Sequence, residues 1–251
     1  MPGHARIIAL AGKGGVGKTS VSAAIVRLLA QQHPDARILA VDADPAVGLA
    51  TALGVEVRET LDDIRKSMFS SATKTQTEEL LSEARFRLFD AMCETRGFAF
   101  LAIGRPETAG CYCAVNTYLR QVISLLISDY DYVVIDSEAG IEQINRRVLE
   151  RVTHLLLVSD ASKKGLQVIR TVRRVAQELV MYEKCGAVIN RVPEGVARDE
   201  IDTGEIPVLA VIGEDSAQTE FDILGKTVFD LPKDAGVLAG TKQALCALNI
   251  I

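Results

Sequence analysis

Apolar residues in this chain fall into short unbroken runs separated by longer stretches with helical spacing. Ile7-Ile8-Ala9-Leu10, Ile38-Leu39-Ala40-Val41, Phe98 to Ile103, Tyr132-Val133-Val134-Ile135, His154 to Val158, Gly186 to Asn190 and Val208 to Ile212 are such runs. Runs of four to six predominantly apolar residues predict strands buried on both faces, as a parallel sheet requires. Between them, Val21 to Ala30, Val47 to Gly54, Thr77 to Met92, Leu119 to Leu126, Ile141 to Arg151, Leu166 to Leu179 and Val237 to Ile251 carry helical spacing. Alternation of this kind predicts an α/β fold, a mostly parallel twisted sheet of about seven or eight strands with helices on both faces. No linker, repeat or low-complexity segment interrupts it, so residues 1–251 are expected to form one domain.

Composition narrows the class. An apolar content of 48% supports a sizeable core, and 5% aromatics without Trp implies aliphatic packing between sheet and helices. The net charge of −5, with no block of like charges, disfavours nucleic acid and acidic membrane surfaces as partners. The C-terminal segment Leu238 to Ile251 is too poorly charged for an amphipathic membrane anchor. No apolar stretch is long enough for a membrane span and no signal peptide precedes the first strand, so a soluble cytoplasmic protein is expected. Five cysteines, an odd number, argue against a disulfide framework there; Cys93, Cys185 and Cys246 read as small packing residues. His154 reads as a satisfied histidine of the core or an edge, and Arg170, Arg173 and Arg174 as a solvated helix face.

The chemistry sits at the predicted carboxyl ends of strands, where open α/β sheets bind ligands. After the first strand, Gly12-Lys13-Gly14-Gly15-Val16-Gly17-Lys18-Thr19-Ser20 satisfies G-x-x-x-x-G-K-S/T and leads into a helix. Successive backbone N–H groups of such a loop form an anion nest, and the helix N-terminus adds partial positive charge. Lys18 is placed to reach the β- and γ-phosphates of a nucleoside triphosphate, and the Thr19 hydroxyl to ligate Mg²⁺. Asp42 and Asp44 end the second strand, with Pro45 stopping it, and Asp136 ends Val133-Val134-Ile135-Asp136. Asp136 suits the Walker B position that holds Mg²⁺; a lone strand-end aspartate can equally cap the following helix.

With a second lysine, Lys13, near its start, this loop resembles the deviant Walker A of the family holding MinD, ParA, the arsenite and tail-anchored-protein ATPases and the nitrogenase iron protein. Asp42-Ala43-Asp44-Pro45 looks like that family's switch I, and Asp136-Ser137-Glu138-Ala139-Gly140 like its switch II. The resemblance implies an ATPase that closes as a homodimer around ATP and returns ADP. Lys13 would reach the partner's phosphates and Asp44 would position or deprotonate the attacking water. Gly140 would sense the γ-phosphate, and Asp42 would join Thr19 and Asp136 at Mg²⁺. Asn190, followed by Arg191, matches the residue that reads adenine. Where many relatives have Ile-Pro and an acidic residue beside adenine, this chain has Ile212-Gly213-Glu214-Asp215.

Cys111-Tyr112-Cys113 separates cousins within that family. Residues i and i+2 in extended backbone lie on one side, with Cα atoms about 7 Å apart, so two thiolates can converge on one soft metal. Two cannot complete a tetrahedral site; a two-fold axis beside the motif would supply the other two. The bland alternative is a pair of small buried residues near a turn. The context Gly104-Arg105-Pro106-Glu107, Gly110, Asn116 and Glu138-Ala139-Gly140-Ile141-Glu142 resembles CooC-type ATPases. These are nickel-insertion accessory proteins of carbon monoxide dehydrogenase, with relatives that mature acetyl-CoA synthase. That resemblance implies Ni²⁺ or Zn²⁺ at an inter-subunit four-cysteine site and a client metalloenzyme. Two other readings stay open: a MinD- or ParA-like positioning ATPase with structural cysteines, and a redox ATPase carrying a bridging iron–sulfur cluster.

Overall fold

The computed structural model describes residues 5–71, 86–95, 97–104, 123–124, 126–137, 151–179, 181–215, 218 and 223–251. Eight strands, β1 (Arg6–Gly12), β2 (Ile38–Asp42), β3 (Cys93–Glu94), β4 (Ala99–Ala102), β5 (Tyr132–Asp136), β6 (His154–Ser159), β7 (Lys184–Val192) and β8 (Val208–Gly213), form one sheet. Their order is β3-β4-β2-β5-β1-β6-β7-β8, parallel throughout except for β3. All seven expected strands are present. The eighth, β3, pairs only Cys93 with Phe100 and Glu94 with Ala99, and two residues carry no readable periodicity.

Side-chain alternation assigns each strand residue to one of two cores. Ile8, Leu10, Val134, Leu156 and Val158 pack beneath α1 (Lys18–Gln32), α2 (Gly48–Leu53) and the C-terminal helix α5 (Gly236–Ala247). Ala9, Ala11, Val133, Ile135, Leu155 and Leu157 face the opposite side, with Leu61 of α3 (Leu61–Ser71) and Leu166, Ile169 and Val172 of α4 (Lys163–Leu179). Helices therefore cover both faces. Among the described residues, no helix is long and apolar enough to cross a membrane.

Several boundaries differ from expectation for identifiable reasons. α1 begins at Lys18 because the phosphate-loop residues themselves form its first turn. The expected C-terminal helix stops at Ala247: Asn249 adopts φ 56°, and residues 248–251 leave the helix. There Arg6 donates to the Ile250 carbonyl at 2.8 Å and Lys184 to that of Leu248 at 2.7 Å. The helix-end carbonyls of Ala244, Leu245 and Cys246 are paired with the N–H groups of Leu248, Ile250 and Asn249, and the two cations meet carbonyls just beyond the helix. His154 lies buried beside them, Nδ1 2.8 Å from the Thr153 hydroxyl; burial, then the Lys184 charge, lowers its pKa.

Arg151 pairs with Met181 in an isolated bridge; the rest of the helix expected before it lies outside the described residues. Of the helix expected over Thr77 to Met92, residues 86–91 are described and helical. Cys246 is exposed on α5, not packed. Arg170 and Arg173 are paired with Asp202 (2.8 Å) and Glu205 (3.4 Å), so that helix face is braced by a neighbouring loop as well as solvated.

One buried guanidinium joins the sheet-covering layer to the C-terminal third of the chain. Arg27 of α1 donates from Nη1 to the carbonyls of Val228 (2.5 Å) and Leu231 (2.8 Å). Leucine there removes the Leu231 carbonyl's guanidinium donor and leaves the Val228 carbonyl with the Leu231 N–H at 3.3 Å. Arg27→Leu is expected to lower the urea midpoint with an unchanged m value, by about 2–4 kcal/mol. A loss below about 0.5 kcal/mol would show that the turn at 228–231 does not depend on this contact.

Candidate functional site

The carboxyl ends of β1, β2, β5 and β6 bring Gly12–Ser20, Asp42, Asp44, Asp136 and Asp160 to one edge of the sheet. Parallel register sets Asp42 level with Asp136 on adjacent strands, about 4.8 Å apart at the backbone. Both are fully buried. Asp136 accepts from the Thr19 hydroxyl at 2.7 Å and from the Ser22 hydroxyl at 2.9 Å. Asp42 accepts from the N–H groups of Asp44 (3.0 Å) and Leu49 (2.8 Å), so it also clamps the loop that joins β2 to α2.

Burial, then the neighbouring Asp136 charge, raises the Asp42 pKa to about 7. Burial raises that of Asp136 to about 6, against the Thr19 and Ser22 hydroxyls and the Lys18 ammonium, which favour the charged form. Two desolvated carboxylates beside a hydroxyl are hard oxygen donors that lack a cation's charge, and this set fits Mg²⁺. Among the described residues, no three His, Cys, Asp or Glu side chains gather as a metal-binding group. A magnesium ion here would therefore complete its shell with phosphate oxygens and water, as it does in nucleotide sites.

Within the loop, the glycines have separate tasks. A Cβ at Gly12 would lie 2.0 Å from the Val158 carbonyl oxygen, so glycine lets β1 and the loop start press against β6. A Cβ at Gly17 would lie 2.4 Å from the Asn190 amide nitrogen. Gly14 and Gly15 face open space, where a phosphate can approach the backbone. Lys18 is buried in the loop and donates to the Lys13 carbonyl at 3.1 Å.

Lys13 itself forms an ion pair with Asp160, Nζ to Oδ2 3.2 Å. Burial works to raise the Asp160 pKa, and the Ser162 hydroxyl and Lys13 outweigh it, holding the carboxyl below its ordinary range. Both side chains of the pair are about one-third exposed, and an ion pair so exposed is worth roughly 0–1 kcal/mol. The sequence reading missed Asp160, whose one signal was its position directly after the buried run His154–Ser159.

Asp44 occupies a tight turn: its Oδ1 accepts from Ala46 N–H at 2.9 Å and its carbonyl from Val47 N–H at 3.0 Å. Val47 takes φ 51°, a left-handed conformation that β-branched residues avoid. Such outliers concentrate where a loop is held in a particular shape for function. Asn190 and Arg191, at the end of β7, lie against the phosphate loop. Asp215 is committed to backbone, accepting from Gln218 and Gly236 N–H, both at 3.3 Å. Cys111, Cys113 and Gly140 lie outside the described residues.

The carboxylate pair yields a pH test. A carboxyl whose folded pKa lies above its unfolded value contributes nothing below about pH 4, where it is neutral in both states. Its ionisation in the fold then costs stability as pH climbs through about 6 and 7. With divalent cations chelated, the urea midpoint should fall across pH 4–7 more steeply in wild type than in Asp136→Asn. The variant should be more stable at pH 8 by about 1–3 kcal/mol. Added Mg²⁺ should restore wild type and not the variant; parallel pH profiles would contradict the assignment.

Known proteins resemble this chain along most of its length. A family model, the CobQ/CobB/MinD/ParA nucleotide binding domain, matches residues 7–228. An uncharacterised ATP-binding protein of Methanocaldococcus jannaschii is 36% identical over 236 residues, covering 91% of this chain and 92% of its own. The carbon monoxide dehydrogenase accessory protein CooC of Rhodospirillum rubrum is 28% identical over 239 residues, 89% of each chain. Among solved structures, the septum site-determining protein MinD of Pyrococcus horikoshii, complexed with Mg-ADP, superposes with a TM-score of 0.67. It shares 22% identity and covers 98% of this chain and 96% of its own, a likeness that speaks to the fold. With its phosphate loop, paired aspartates and parallel sheet, the chain belongs to the CobQ/CobB/MinD/ParA nucleotide-binding family and is an ATPase of that class.

Proposed function

We propose that this ATPase is a homodimeric maturation factor that uses ATP binding and hydrolysis to deliver a divalent metal, Ni²⁺ by resemblance, to a client metalloenzyme. Carbon monoxide dehydrogenase or acetyl-CoA synthase is the client class that the likeness to CooC favours. The observation carrying this reading is a deviant phosphate loop in the same chain as Cys111-Tyr112-Cys113. Ile103, after β4, donates its N–H to the Asp42 carbonyl at 2.8 Å, and Cys111 follows only eight residues later. Movement at Asp42–Asp44 can therefore pass through that hydrogen bond to Ile103, eight residues before Cys111 in the sequence.

In this mechanism the loop N–H groups and Lys18 hold the β- and γ-phosphates, while Thr19, Asp42 and Asp136 hold Mg²⁺. The ion supplies charge neutralisation on the phosphate oxygens. Asp44, fixed by its own turn, orients the attacking water. Lys13 exchanges its exposed partner Asp160 for the phosphates bound by the second subunit. That exchange gives up little, and it adds positive charge to the developing phosphoryl transition state only when the dimer is closed. Hydrolysis then reopens the dimer and with it the metal site.

A MinD-like positioning role is the competing reading, supported by the resemblance in fold. Metal stoichiometry separates the two. Wild type should carry close to one Ni²⁺ or Zn²⁺ per dimer and the Cys111→Ala/Cys113→Ala double variant none; equal stoichiometry in both would sink the maturation reading. For the engine, Lys13→Ala is expected to bind ATP as a monomer and lose ATP-driven dimerisation in sedimentation. Intact dimerisation would contradict a role for Lys13 across the interface.

A further inference from the structure

A nest binds phosphate only if its N–H groups point inward, which requires its carbonyls to point outward and stay there. Two of those carbonyls are held from one place. Asn190 Nδ2 donates to the Val16 carbonyl at 2.9 Å, and Arg191 Nη1 to the Gly15 carbonyl, also at 2.9 Å. Adjacent residues in a regular strand face opposite sides of a sheet, so both should not reach one loop. They do because β7 breaks its register against β8 between Ile189 and Val192, and Arg191 adopts φ 55°. Irregularities of this kind re-aim side chains beside active sites. The fit is tight on the loop side too, since a Cβ on Gly17 would sit 2.4 Å from the Asn190 amide.

We infer that Asn190 and Arg191 are positioning residues for the phosphate cradle: they set the backbone shape of Gly15–Val16 and thereby tune affinity for phosphate itself, apart from any contact with the base. The inference rests on reading Gly12–Ser20 as the phosphate loop. Its chemistry has a further consequence. The Asn190 amide has two N–H donors and one carbonyl; one N–H is spent on Val16, leaving one donor and one acceptor for an adenine edge. A single side chain then ties base recognition to the geometry of the cradle, so an ill-fitting base would loosen the phosphate grip as well.

The test uses a ligand with no base. Competition of Mg-tripolyphosphate against a fluorescent ATP analogue should give an inhibition constant about tenfold weaker in Arg191→Ala than in wild type. Asn190→Ala should behave alike and Arg191→Lys should recover part of the loss. Arg191 is exposed, so its variant keeps the fold, and melting temperatures verify this. An Arg191→Ala protein that weakens the ATP analogue alone and binds tripolyphosphate as wild type does would overturn the inference and leave a base contact only. Lys18→Ala serves as the control on the cradle. If that variant binds tripolyphosphate as tightly as wild type, the phosphate-loop reading itself falls, and the inference with it.

Discussion

Parallel pairing of β2 with β5 sets Asp42 level with Asp136, so two carboxylates stand one strand spacing apart in a site that excludes water. Each is satisfied by the groups that need to be held: Thr19 and Ser22 of α1 on Asp136, and the N–H groups of Asp44 and Leu49 on Asp42. The unresolved quantity is charge. Hydrogen bonding satisfies lone pairs but does not offset the desolvation of two buried carboxylates, and burial raises both pKa values, with the Asp136 charge adding to the rise at Asp42. A cation bound there with phosphate would remove that penalty and so couple ligand binding to stability at this end of the sheet.

Around that pair, the phosphate loop is held by three kinds of contact. Gly12 gives backbone contact with β6, Lys18 returns to the Lys13 carbonyl, and Asn190 with Arg191 secures two further carbonyls. β6 and β7 therefore both press on the nine-residue loop that follows β1. Such convergence suits phosphoryl transfer, where positioning and electrostatics carry most of the rate.

The peripheral contacts are weaker, a contrast that the proposed switch would use. The Lys13–Asp160 pair is partly exposed and worth little, whereas the Asp42 clamp is buried. A switch needs a soft element next to a rigid one, so that a γ-phosphate or a second subunit can redirect the first without melting the second. Val47, left-handed between Asp44 and α2, stores strain in the same short connection.

Much was legible in the sequence because the relevant signals are local. Apolar runs located seven strands, and spacing marked Gly12–Ser20 as the loop that the structure sets at the strand ends. Asp42 and Asp136 were findable as strand ends. What the sequence could not express was register and proximity between distant segments. Asp160 became a partner of Lys13, 147 residues away, only because β6 lies beside β1. Arg191 became a phosphate-loop contact only through a break in the β7–β8 ladder. The two-residue β3 and the early end of α5 depend on neighbours: Phe100 and Ala99 for one, Arg6 and Lys184 for the other. By itself the sequence determined which chemical groups the chain owns and which periodicity each segment follows. The tertiary structure alone decided which of those groups meet, because pairing between strands is a long-range choice that no local pattern encodes.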